Sequence, residues 1–211
     1  FIHYFKNTAL AGNPATFTLF TPNYPDDTGT ALDIGSYATP QLIDADRDGD
    51  LDLIIGERAG NLNYYKNTGT ASIPSFTLIS SSFGGVDVYP IPCCTGYSVP
   101  FMYDSAGSYR LLVASEASRN YPDMGWIWFY KNIDGNLGGN FTLVDSMYQD
   151  IWEGLRMTVN GKDINSDGSM DLVIGNYGGG AALYMGDSNA VSVSELNNSF
   201  LSLSGTKRCQ K

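Results

Sequence analysis

Short apolar runs bounded by turn residues dominate the chain: Leu53-Ile54-Ile55, Leu111-Leu112-Val113 and Leu172-Val173-Ile174. Runs of this length, rich in branched aliphatic side chains, predict buried strands rather than helices. Each leads to a second apolar stretch, Leu62–Tyr65, Trp126–Tyr130 or Ala181–Tyr184, through a glycine at a matching position (Gly60, Gly125, Gly179). A third kind of segment, Phe17-Thr18-Leu19, Phe76-Thr77-Leu78 and Phe141-Thr142-Leu143, alternates apolar and polar side chains, which is the period of a half-exposed strand. No stretch carries the capped 3.6-residue period of a long amphipathic helix.

The segments recur in fixed order. Tyr4-Phe5-Lys6-Asn7 returns as Tyr64-Tyr65-Lys66-Asn67 and as Phe129-Tyr130-Lys131-Asn132, so the period is 60 and then 65 residues from lysine to lysine. A period near sixty with four strand-like segments predicts an all-β protein of four-stranded antiparallel units packed radially as β-propeller blades. A β-sandwich with accidental repetition is the competing arrangement. The expected boundaries are the end of one blade with a linker (1–36), two blades (37–96 and 97–154), a last incomplete blade (155–187) and a tail (188–211). About three and a half blades make a partial propeller, because closure needs at least four and an open stack leaves unpaired edges. The remaining blades are therefore expected from missing N-terminal sequence or from another chain.

Two acidic segments precede the central strands: Asp44-Ala-Asp46-Arg-Asp48-Gly49-Asp50-Leu-Asp52 and Asp163-Ile-Asn165-Ser-Asp167-Gly168-Ser169-Met-Asp171. Carboxylates about 4 Å apart repel by ~4 kcal/mol at an effective dielectric of ~20, so so dense a cluster calls for a cation. The spacing lets positions 1, 3, 5 and 9 (Asp44, Asp46, Asp48 and Asp52 in the first loop) converge oxygen ligands, with the carbonyls of Asp50 and Ser169 adding to the shell. Hard oxygen ligands in a flexible loop favour calcium over zinc or copper, and over the stricter octahedron of magnesium. An EF-hand is excluded, since its twelfth position needs a Glu where this chain has Ile55 and Ile174. The middle repeat keeps only Asp104 and is expected to be metal-free.

The pattern DxDxDGxxDLxxG, present twice among these blades, resembles the FG-GAP/VCBS repeats of extracellular β-propellers related to those of integrin α subunits. The similarity covers residues 1 to about 187 and implies two structural calcium sites. Their ligands would be Asp44, Asp46, Asp48, Asp50 and Asp52, and Asp163, Asn165, Asp167, Ser169 and Asp171. The phrasing around Asp33-Ile-Gly-Ser-Tyr37 and Gly175-Asn-Tyr-Gly-Gly179 is similar to secreted proteins of Bacteroidota that end in a type nine secretion sorting domain. Val191–Ser204 looks like the linker into such a domain, while Gly205–Lys211 departs from it. The resemblance implies a secreted or cell-surface, non-enzymatic protein of adhesion or of protein or glycan binding; the alternative is the propeller part of a secreted carbohydrate-active or other hydrolytic enzyme.

Composition narrows this further. Twenty-two acidic against 12 basic residues give a net charge of −10, which argues against nucleic-acid partners. No apolar run approaches the roughly 18 residues of a membrane span. A single histidine, His3, rules out multi-histidine metal centres, and no GxSxG supports a hydrolase triad. Cys93 and Cys94 are adjacent and Cys209 is distant, so a bond from Cys209 to either and three free thiols both remain open. Trp126 and Trp128 alternate on one strand and suit either sugar stacking or blade packing. Glu57 and Glu116 read as equivalent loop-end carboxylates, Gly178-Gly179-Gly180 as a hairpin turn, and Asn140 and Asn197 as glycosylation sequons.

Overall fold

The structure, a computed structural model, describes residues 1–88, 95–117 and 124–186. All three cysteines, Asn197 and the 188–211 tail lie outside the described residues. Four antiparallel sheets follow one another along the chain. The first pairs β1 (Tyr4–Asn7) with β2 (Phe17–Thr21), and the second runs β3 (Thr39–Ile43), β4 (Asp52–Gly56), β5 (Leu62–Asn67), β6 (Phe76–Ser80). The third runs β7 (Val99–Ser105), β8 (Ser108–Ala114), β9 (Ile127–Lys131), β10 (Thr142–Asp145), and the last β11 (Thr158–Lys162), β12 (Asp171–Gly175), β13 (Ala181–Tyr184). Each sheet is a simple meander, so the all-β class and the four-stranded antiparallel unit are as the sequence predicts. The arrangement is compatible with a partial propeller.

The central strands show why these runs are apolar on both faces. Leu53 and Ile55 of β4 pack towards Leu32, Tyr65 and Phe76, whereas Ile54 between them joins Tyr64, Phe83, Met102 and Leu111 of a second cluster. In β8, Leu111 and Val113 belong to that second cluster, while Leu112 and Ala114 join Ile127, Met157, Val159 and Ile174 in a third. Alternate residues of one strand thus fill two cores, as stacked sheets require. In the last sheet Val173 is 44% exposed, and the first sheet exposes Phe5, Phe17 and Phe20, so both end sheets keep an uncovered apolar flank.

The innermost strands β3, β7 and β11 touch in sequence. Gln41 joins two of them through its amide, with Nε2 donating to the Met102 carbonyl and Oε1 accepting the Met102 N–H, both at 2.7 Å. A single 3₁₀ turn follows the outer strand of each complete sheet, at Phe83–Gly85 and Tyr148–Asp150, a feature the strand pattern did not predict. Gly84 sits at φ 66°, and a Cβ there would lie 2.0 Å from the Phe141 ring, so glycine admits the neighbouring sheet.

Leu111 is fully buried between sheets. Leu111→Ala should cost ~2–5 kcal/mol in urea unfolding, whereas Ile73→Ala, at a 75% exposed position, should change stability by under ~0.5 kcal/mol.

Candidate metal centre

The turn from β3 to β4 and the turn from β11 to β12 have one geometry. Arg47 and Gly49 adopt left-handed φ of 63° and 99°, matched by 61° and 88° at Ser166 and Gly168. In both, side-chain oxygens fold back onto the turn's own N–H groups. Asp44 Oδ2 accepts from Gly49 at 3.0 Å, Asp46 Oδ1 from Asp48 at 3.2 Å and Asp48 Oδ1 from Asp50 at 3.0 Å. The second turn repeats the order: Asp163 Oδ2 accepts from Gly168 at 2.9 Å, Asn165 Oδ1 from Asp167 at 3.0 Å and Asp167 Oδ1 from Ser169 at 2.8 Å. Asp50 and Ser169 thus enter through their backbone N–H.

This folding gathers the first three carboxylates. One oxygen from each of Asp44, Asp46 and Asp48 lies within 4.8 Å of the others. Asp44 Oδ1 is buried and has no hydrogen-bond partner. A buried acceptor left unpaired costs ~1–3 kcal/mol, and an all-oxygen donor set suits a hard divalent cation, so the residues fit calcium. In the second turn Asn165 Nδ2 donates to Asp167 Oδ2 at 2.8 Å, and Asp163 Oδ1 accepts from the Asp167 N–H at 3.1 Å.

A cation of the chain's own stands at the first turn. Lys66 Nζ pairs with Asp46 and, at 3.1 Å, with Asp48. The two carboxylates raise the lysine pKa, and Asp48 is held low by the Asp50 N–H and then by Lys66. Leu53 faces Tyr65 and Leu172 faces Tyr184, so Met185 takes the place of Lys66 in the second turn. The two centres therefore differ in resident charge, which the acidic spacing alone does not reveal.

Asp52 and Asp171, the ninth positions, are buried beneath their turns and stand apart from the gathered trio. Asp52 Oδ2 accepts from the Ala45 N–H at 3.1 Å and the Tyr64 hydroxyl at 3.0 Å, and Oδ1 accepts from the Asn67 N–H at 2.8 Å. Asp171 repeats this with the Ile164 N–H at 2.9 Å and the Gly186 N–H at 2.8 Å. Each carboxylate ties the start of its turn to the end of the third strand. Burial raises the Asp52 pKa against the pull of these hydrogen bonds, and pushes the Tyr64 hydroxyl far up.

The middle blade solves the same problem differently. Leu111 faces Tyr130, so Arg110 replaces the buried aspartate, and the Tyr109 N–H bonds instead to Asp134 Oδ2 at 2.7 Å. Arg47 reaches over from the preceding turn to Asp104 at 2.8 Å and Asp134 at 3.0 Å, with its guanidinium 3.9 Å above the Tyr109 ring. The Tyr109 hydroxyl donates to the Asp44 carbonyl. Asp104 thus receives an arginine, and the first acidic turn is clamped to the next blade.

His3 is exposed. Trp128 packs on the core between the two complete sheets, and Trp126 lines a 390 Å³ pocket with Met147, Ile151 and Trp152. Glu57 and Glu116 are not equivalent: Leu53 corresponds to Leu111 by strand register, which places Ser115 opposite Glu57 and Glu116 opposite Arg58. The count from the apolar runs carries the same one-residue offset, Glu57 standing four residues after Leu53 and Glu116 five after Leu111. Gly179 and Gly180 form a turn at φ 90° and 86°, and Asn140 is exposed. No family model matches the chain, and neither a curated protein nor a solved structure matches it.

Asp52→Ala would orphan three buried donors and should cost at least ~3 kcal/mol in chelator, as thermal unfolding would show. In chelator, stability should also fall in acid. Asp26, Asp48, Asp104 and Asp167 are held below the ordinary 3.8 by the Thr28 hydroxyl, the Asp50 N–H, Arg47 and the Ser169 N–H respectively. Their contribution is present above 3.8 and lost as pH drops through the lower folded values. Asp52 has the opposite sign, since protonation above 3.8 relieves its burial cost. The melting midpoint should hold from neutral pH to about 4 and decline below it.

Proposed function

We propose that the chain is a calcium-stabilised, non-enzymatic repeat protein of the secreted or cell-surface kind, working in adhesion or in binding a protein or glycan ligand. The observation that carries the calcium reading is the convergence of Asp44, Asp46 and Asp48 around the unpartnered, buried Asp44 Oδ1. The second turn, with Asp163, Asn165 and Asp167 in the same hydrogen-bond order, supports a second site. The resemblance of both motifs to FG-GAP/VCBS repeats supports the extracellular setting. A net charge of −10 and the absence, among the described residues, of any helix long and apolar enough to cross a membrane agree with this. The uncovered flanks of the end sheets suit further blades, from the same protein or another chain.

In this reading the cation is structural. It supplies positive charge where the turn concentrates negative charge, and the chain's own oxygens fix the strand that follows. The bound ion stabilises by mass action, ~2.7 kcal/mol at a hundredfold excess over Kd, or a midpoint gain of ~5–10 °C for a chain of this size. Calcium should produce that gain over chelator, and Asp44→Asn should remove most of it. Lys66→Met should tighten calcium binding in calorimetric titration, because the competing ammonium is gone. A midpoint indifferent to calcium would overturn the reading.

A further inference from the structure

The face opposite the acidic turns carries a repeated and strained joint. Tyr37, Tyr97 and Arg156 each lie two residues before an innermost strand, at Thr39, Val99 and Thr158. All three adopt left-handed backbone, at φ 63°, 47° and 50°. Non-glycine residues held there cost of order 1 kcal/mol or more, and such positions gather at functional sites. The joint is regular: the Tyr97 N–H donates to the Arg58 carbonyl at 3.2 Å, and the Arg156 N–H to the Glu116 carbonyl at 2.9 Å. Successive blades thus present the same strained position side by side.

The side chains at these positions meet. The Arg156 guanidinium lies 4.6 Å from the Tyr97 ring centroid, 5.2 Å from Tyr177 and 5.8 Å from Tyr37, and the Tyr37 and Tyr97 rings touch edge to face at 4.5 Å. Arg156 Nε donates to Glu116 Oε1 at 2.7 Å, and the Thr95 hydroxyl donates to the other Glu116 oxygen. Although clustered, Tyr37 and Tyr177 are 56% and 72% exposed, so their rings are not consumed by packing. A 220 Å³ pocket lined by Tyr37, Tyr97 and Arg156 shares Thr39, Val99 and Thr158 with a 460 Å³ groove along the innermost strands. Together they are of the size of ordinary small-molecule sites.

We infer that this mouth binds a neutral oligosaccharide, a proposal that locates the ligand site of the function proposed above and rests on it. Exposed tyrosine rings offer flat apolar faces to the C–H side of a pyranose. The arginine–glutamate pair offers donors and acceptors together, which suits vicinal hydroxyls, and Thr39, Gln41 and Asn160 continue a polar lining along the groove. Neutrality of the sugar follows from charge. Glu116 balances Arg156 at the mouth, and a chain of net charge −10 repels polyanions.

The test titrates soluble gluco-, manno-, galacto- and xylo-oligosaccharides, and uronate oligomers as the anionic arm, into the full chain with calcium, read by saturation-transfer NMR and calorimetry. At least one neutral series should bind. Tyr177→Ala and Tyr37→Ala should each weaken it about tenfold with an unchanged melting midpoint. Binding to uronates alone, binding to no series, or equal affinity in Tyr177→Ala would overturn the proposal. The calcium reading fails separately, through the melting midpoint, so the two failures are distinguishable.

Discussion

The buried carboxylates at the foot of each acidic turn hold the architecture together. Asp52 and Asp171 are almost wholly removed from water, and each binds N–H groups from two segments, the start of its turn and the end of the third strand. A carboxylate in that position is expensive to desolvate and is kept only because its acceptors are used. The consequence is a hinge-free corner: the turn, the central strand and the end of the third strand share one anchor. The gathering of Asp44, Asp46 and Asp48 above it then follows from a turn whose base cannot shift.

The middle blade shows that the constraint is the corner rather than the residue. With Arg110 where the aspartate would stand, the anchoring carboxylate comes from Asp134 on the neighbouring loop. That carboxylate also receives Arg47 from the preceding turn, so the loss of one internal anchor coincides with a bridge between blades. Exposed ion pairs are individually worth ~0–1 kcal/mol, but here two carboxylates, a carbonyl and an aromatic face act on one guanidinium.

Much of this was legible in the residues. The runs at Leu53, Leu111 and Leu172 announced buried strands, and the Phe-Thr-Leu segments announced outer strands, because side-chain period reports local geometry directly. Only the first two are buried on both faces, since Val173 lies on the uncovered flank of the last sheet. The acidic spacing showed which residues crowd one turn. It did not show that Asp52 and Asp171 turn downward as fasteners, since that depends on N–H groups up to 15 residues away. Lys66 was hidden because only strand register puts it over the turn, and Arg47 because its partner Asp134 is 87 residues distant. The offset between Glu57 and Glu116 is there in the residues, four positions after Leu53 against five after Leu111, and the strand register agrees with that count.

The stitch at the Tyr97 and Arg156 positions has a main-chain bond at each place, to which Arg156 adds a side-chain bond to Glu116. Its donors belong to a tyrosine and an arginine, its acceptors to an arginine and a glutamate, and the joint is indifferent to which. Assembly and surface chemistry are thereby decoupled at these places. Such a scaffold can exchange the side chains it displays beside these two joints, and so acquire a different specificity, while the main-chain bonds that close them persist.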